Sequence, residues 1–219
     1  MIAKSSSNIP FLIAALAILL LAPTVASAEV EVRTMSQTFA LGSANQIDLD
    51  LTFGTVRVEG TDNNFVSVDV RLECNRQDLD KCERRANRLF LAPRISGKRM
   101  DIALRGTSRA QLQGIRAEMT VRMPRHFGLE VDMRLADVTI SGMEADIEVD
   151  GVEGSVDITS TQNTIRTVDA KVGAGQVDLW VDGANVEGSG FPRSVKWEGS
   201  GQHKIELDMA AGDVDIKLN

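Results

Sequence analysis

Ile147-Glu148-Val149-Asp150-Gly151-Val152-Glu153-Gly154-Ser155-Val156-Asp157-Ile158 decides the fold. Apolar residues alternate with acidic ones, a glycine interrupts them, and a shorter alternating pair follows. The same frame opens at Ile47, Leu129, Val168 and Ile205. In every copy a valine stands nine positions after the first apolar residue, at Val56, Val138, Val156, Val177 and Val214. Another apolar residue follows two positions later, at Val58, Ile140, Ile158, Leu179 and Ile216. Two positions before the valine stand Gly54, Ala136, Gly154, Gly175 and Gly212, so nothing larger than alanine occupies that place.

From Leu129 the copies are spaced by 18, 21 and 37 residues. The double-length gap holds a degenerate copy, with Val186, Val195 and Trp197 in frame but Arg193 in the glycine position. Alternation means half-buried strands, and a fixed period of about 20 residues means stacked coils. One coil cannot bury its apolar face alone, so stacking must do it. The pattern predicts a mostly β protein: a parallel β-solenoid of short coils over 126–219, preceded over 29–125 by a strand-rich part with one helix. Val138–Val156–Val177–Val195–Val214 should form one ladder, with rungs about 4.8 Å apart. Ile140, Ile158, Leu179, Trp197 and Ile216 should form a second. The small residues should mark corners where φ is positive or backbones approach closely. An antiparallel meander or sandwich jointed at those glycines is the competing arrangement.

The N-terminus reads as an address. Lys4 precedes an apolar run from Phe11 to Ala22, and Ala26-Ser27-Ala28 closes it. This is the pattern of a secretory signal peptide over 1–28, cleaved before Glu29; an uncleaved anchor is the alternative. No other stretch approaches a membrane-spanning length of about 18 apolar residues, so no transmembrane span is expected after cleavage. The absence of tyrosine disfavours an outer-membrane barrel, whose rims are aromatic. The expected location is exported, periplasmic or on the cell surface.

Export makes Cys74 and Cys82 the expected disulfide. No CxxC or neighbouring histidine suggests a metal site. Residues 71–125 leave the repeat rhythm, and Leu79, Cys82, Ala86, Leu89 and Phe90 fall at helical offsets over about 78–91, with Asp78 as the cap.

The layout resembles a family of exported bacterial β-strand-repeat proteins known as "putative adhesins", domains of unknown function. The resemblance rests on the leader, on Val121-Arg122-Met123-Pro124, and on the Gly-x-Val-x-Ile units at Gly154–Ile158, Gly175–Leu179 and Gly212–Ile216. It covers most of residues 40–219 and implies export and a β-repeat fold. It does not account for the cysteine-linked helix.

Charge is uneven along the chain. Residues 71–125 hold 14 basic and 6 acidic residues, whereas 126–219 hold 7 basic and 18 acidic. Arg84, Arg85, Arg88, Arg94, Lys98 and Arg99 form a candidate patch for an anionic envelope polymer or another envelope protein. Pairing with the protein's own acidic face is the simpler role for the same residues. A single aromatic, Phe90, interleaves with them, which offers no run of stacking platforms, so no nucleic-acid partner is expected. Thr139, Asp157, Asp178, Lys196 and Asp215 should stack on an outer face, with Lys196 between Asp178 and Asp215 and no metal needed.

Motifs of catalysis are absent: no GxSxG elbow, HExxH or P-loop. No cofactor is expected. His126 and His203 have no partner visible in the sequence. The expected role is a non-catalytic envelope binding or scaffold protein, with adhesion as one form of it. The alternative is a carbohydrate-active β-solenoid enzyme using acidic residues on the repeats. Self-association through the C-terminal coil is a further expectation, since Ile216-Lys217-Leu218 leaves it without a cap.

Overall fold

The computed structural model describes residues 29–106, 112 and 114–219. The leader read over 1–28 lies outside the described residues. In chain order the elements are β1 (Glu29–Ala40), β2 (Gln46–Thr61), β3 (Phe65–Asn75), α1 (Leu79–Ala86), β4 (Phe90–Leu91), β5 (Arg94–Ser96) and β6 (Arg99–Arg105). They continue with β7 (Ile115–Pro124), β8 (Gly128–Met143), β9 (Ile147–Ser160), β10 (Ile165–Val181), β11 (Ala184–Glu187), β12 (Arg193–Glu198) and β13 (His203–Leu218). The described residues are mostly β with one short α-helix, built on a large mixed sheet that does not close.

The five frame copies are the long strands β2, β8, β9, β13 and β10, which run parallel and in register. Ile47, Leu129, Ile147, Ile205 and Val168 form one row. Val56, Val138, Val156, Val214 and Val177 form a second, and Val58, Ile140, Ile158, Ile216 and Leu179 a third. All of these side chains are buried in one contiguous core.

Their order in space, however, is not their order in the chain. β13 inserts between β9 and β10, so Val214 stands between Val156 and Val177. The ladder expected in chain order is corrected accordingly, and Val195 and Trp197 leave it. Val195 lies opposite Ala170, and Trp197 opposite Val168, on the antiparallel strand β12. Local chemistry explains the departure. Asp182 and Gly183 both have positive φ, +49° and +77°, which suits a two-residue hairpin turn. The chain therefore reverses after β10, and β11 and β12 return antiparallel along its outer side. Arg193 also occupies the place where a coil would need glycine.

Each long strand bends at the small-residue column. Gly154 and Gly212 have φ of +146° and +135°, values that L side chains rarely adopt. A Cβ on Gly154 would run into the carbonyl of Ala136, and one on Gly212 into the carbonyl of Gly154. The bend divides every long strand into two arms, and the sheet forks there. β6 continues the first arm of β2, over residues 46–50, and carries β4 and β5. β7 continues the second arm, over 55–61, and leads to β3 and β1. The sheet does not break near residue 125, since β2 pairs with β8 along residues 46–59.

Cys74 and Cys82 form the expected disulfide, with Cα atoms 5.9 Å apart. It ties α1 to the end of β3. The helix is shorter than its apolar pattern suggests, ending at Ala86, and Phe90 and Leu91 belong to β4. Arg33 supplies a reason: its Nη1 donates to the carbonyls of Ala86 (3.0 Å) and Leu89 (2.7 Å). Helix-end carbonyls lack intrahelical donors, and a cation from β1 takes them here. At the other end Asp78 makes no side-chain cap. Instead Asn75 accepts from Gln77 N at the start of a 3₁₀ turn over Arg76–Asp78.

The C-terminal strand is not an exposed end. β13 is paired on both sides, which removes the uncapped edge on which the expected self-association rested.

Candidate binding face

On the first arm the core residues of each frame alternate with residues of the opposite face, which are acidic except for Lys171, and of which Asp48 is itself buried. Asp48, Glu130, Glu148, Glu206 and Asp169 occupy one row across β2, β8, β9, β13 and β10. Two residues on, Asp50, Asp132, Asp150 and Asp208 form a second row, which Lys171 ends. Backbone pairing fixes neighbours within a row about 4.8 Å apart. Asp50, Asp132, Asp150 and Asp208 line a groove, with Val152 and Ala210 at the bend.

Stacked carboxylates repel, and cations sit at both ends of the first row. Arg99 reaches Asp48 (2.6 Å) and Glu130 (2.7 Å). Lys196 donates to Asp169 (2.7 Å), and Lys204 to Glu206 (2.7 Å). Gln46 Nε2 also donates to Asp48 and Glu130, at 3.0 and 2.8 Å. Charge compensation is incomplete in the middle. Burial and the adjacent Asp48 carboxylate push Glu130 above the usual carboxylate range, outweighing Arg99. Asp132 moves the same way, through lost water along the sheet and then Asp150 and Asp50. Its side chain stays exposed. At the far end the hydrogen bond from Lys196 holds Asp169 below its ordinary value.

A second groove lies where the parallel strands begin. It brings together Asn45, Gln46, His126, Asp146, Glu148 and His203. His203 Nδ1 is 3.6 Å from Asp146 Oδ1, which also accepts from Lys204 N at 3.0 Å. The two histidines are thus neighbours of one groove, a relationship hidden by their separation in the chain. Among the described residues, no three His, Cys, Asp or Glu side chains converge as a metal site requires.

The six basic candidates do not share one fate. Arg84 and Arg85 lie in the last turn of α1, and Arg88 just beyond it. Arg94 and Lys98 belong to the hairpin of β5 and β6. Arg99 is committed to Asp48 and Glu130, the internal pairing that charge segregation allowed. Other arginines of the basic segment are similarly engaged: Arg71 with Glu118, Arg122 with Glu59 and Asp69, and Arg125 with Asp62 and Glu144. On the second arm the outer row runs Arg57, Thr139, Asp157, Asp215, Asp178, so Asp178 and Asp215 are direct neighbours and the expected Lys196 does not stand between them but opposite Asp169. Lys217 pairs with Asp215 at 3.2 Å.

The two first-arm acidic rows were overlooked in the sequence, though their signal is present. Each frame carries an acid at its second position, and four of the five carry another at the fourth.

No protein-family model matches the chain, and no curated protein matches it in sequence. Solved structures do resemble it. A "putative cell adhesion protein" from Clostridium sporogenes aligns with 15% identity and a TM-score of 0.53, covering 85% of this chain and 99% of that one. A "putative adhesin" from Parabacteroides merdae aligns at 6% identity and a TM-score of 0.34, over 85% and 97% of the two chains. The first similarity establishes a shared fold.

Proposed function

We propose that this chain is an exported, non-catalytic binding or scaffold protein of the cell envelope, periplasmic or at the surface, with adhesion as one form of that role. The observation that carries the reading is the pair of carboxylate rows held in register, one across five parallel strands and the other across four. Backbone hydrogen bonds set their spacing, so an extended partner meets a prearranged series of contacts at little ordering cost. The stacked strands act as a solenoid-like spine for that face. The leader pattern, ending in Ala26-Ser27-Ala28, supports export.

The exposed Arg84 and Arg88 at the end of α1, and Arg94 and Lys98 on the hairpin, are the cations left for an anionic envelope polymer or another envelope protein. Retention on an anionic polymer matrix tests this role. It should fall steeply with salt and fall further in Arg84→Glu/Arg88→Glu; retention unaltered by the charge reversal would contradict it.

A second reading, a carbohydrate-active enzyme, draws on one observation: His126, His203, Asp146, Glu130 and Glu148 line one groove. It requires reducing-end release from an envelope glycan that Glu148→Gln abolishes. No release from the unmodified protein would dismiss it.

A further inference from the structure

Two edges of the sheet are treated differently. At one edge the 17-residue strand β10 is covered by β11 over residues 178–181 and by β12 over 167–172. Those covering strands are four and six residues long, and β12 carries Arg193, Lys196 and Glu198. Short, charged edge strands discourage further pairing. At the other edge β1, 12 residues long, pairs among the described residues only with β3.

The two halves of β1 also differ. Its first half contains Glu29, Glu31 and Arg33, and the register slips between Glu31 and Arg33. Charge and a bulge both blunt an edge. Its second half, Thr34-Met35-Ser36-Gln37-Thr38-Phe39-Ala40, has no charge and pairs with β3 without interruption. This run is nearly symmetric about Gln37. Met35 and Phe39, which flank it on the core side, are buried and part-buried against the core. Ser36 and Thr38 flank it on the outer side and are exposed. Gln37 itself lies over the buried Val68, yet it is exposed.

We infer that a second copy of this chain pairs antiparallel along Thr34–Ala40, on a two-fold axis at Gln37. That register places Met35 opposite Phe39 of the other copy, which continues the core face across the join. It places Ser36 opposite Thr38, a pairing of small hydroxyl residues suited to adjacent strands. The two Gln37 side chains meet on the axis, where each amide can donate to and accept from the other. Moving the axis to Arg33 would set like charges face to face at the bulge. The acidic rows lie on the first arm, whereas β1 extends the second, so the pairing leaves the rows open. It rests on the edge alone and not on the envelope role.

Sedimentation velocity across a concentration series tests the inference. The protein should form a dimer. Gln37→Lys, which puts two ammonium groups opposite each other, should weaken it about tenfold or more while leaving the unfolding midpoint unchanged at dilutions where both proteins are monomeric. Gln37→Cys should cross-link into a covalent dimer under oxidising conditions, whereas Asn185→Cys on the covered edge should not. A protein that stays monomeric at every concentration would overturn the inference. So would a dimer that Gln37→Lys leaves intact and Gln37→Cys fails to cross-link.

Discussion

Val214 pairs in register with Val156 on one side and Val177 on the other, although Val177 precedes it and Val156 lies further back still. The last long strand of the chain is therefore an interior strand, and the parallel core closes only when β13 arrives. Removing residues from 203 onward should leave β9 and β10 without their shared partner and abolish cooperative unfolding. A truncated chain that still melts in one sharp transition would refute this.

The bend column should be intolerant of side chains. Gly212→Val forces a β-branched residue into φ of +135° and against the Gly154 carbonyl, and should cost about 2–4 kcal/mol in urea unfolding. Ala136→Gly, in the same column, should cost no more than about 1 kcal/mol. Equal costs for the two would show that the close approach does not govern the bend.

The first acidic row should make stability respond to pH in two directions. Glu130 is raised in the folded state, so the fold binds its proton more tightly than the unfolded chain does. Its contribution is full below the unfolded carboxylate value and is lost as pH rises through the folded one. Asp169 is lowered, so it stabilises above the ordinary carboxylate value, and this is lost as pH falls through the folded one. Glu130→Gln should therefore gain stability relative to the parent between pH 5 and neutrality, roughly the range just above ordinary carboxylates. Asp169→Asn should lose it there. Matching pH profiles for both variants would contradict the assignment.

Breaking the disulfide should cost about 2–3 kcal/mol by loop-closure entropy. Amide exchange should quicken over α1 and the end of β3 in Cys82→Ser and remain slow in β8, β9 and β13. Uniformly faster exchange would mean that the helix supports the whole sheet.

Arg33→Ala should cost about 1–2 kcal/mol, because the Ala86 and Leu89 carbonyls lose a charged donor. The loss should be local to α1. Unaltered helix exchange would show that the guanidinium does not hold the helix end.

The apolar rows and the bend column were legible in the sequence because each depends on spacing within a frame, and the disulfide because the leader pattern implies an oxidising compartment. The order of the rows was not. Parallel strands related by a repeat fit any neighbour of the same frame equally well. What selected the order was the Asp182-Gly183 reversal, a two-residue signal within a double-length gap that spacing filled with a fifth coil. The helix was overextended for a similar reason: Leu89 keeps helical phase and is buried, but the donor that ends the helix comes from Arg33, over 50 positions away. The meeting of His126 and His203 had no local signal at all, since it follows from β13 lying beside β9.

Localisation tests the central claim most directly. Fractionation of the source cells, with protease treatment of intact cells and N-terminal sequencing of the recovered protein, should find a chain beginning at Glu29 in the envelope. Digestion of intact cells would place it at the surface, and protection until the envelope is opened would place it in the periplasm. A cytosolic protein retaining residues 1–28 would contradict the envelope role outright.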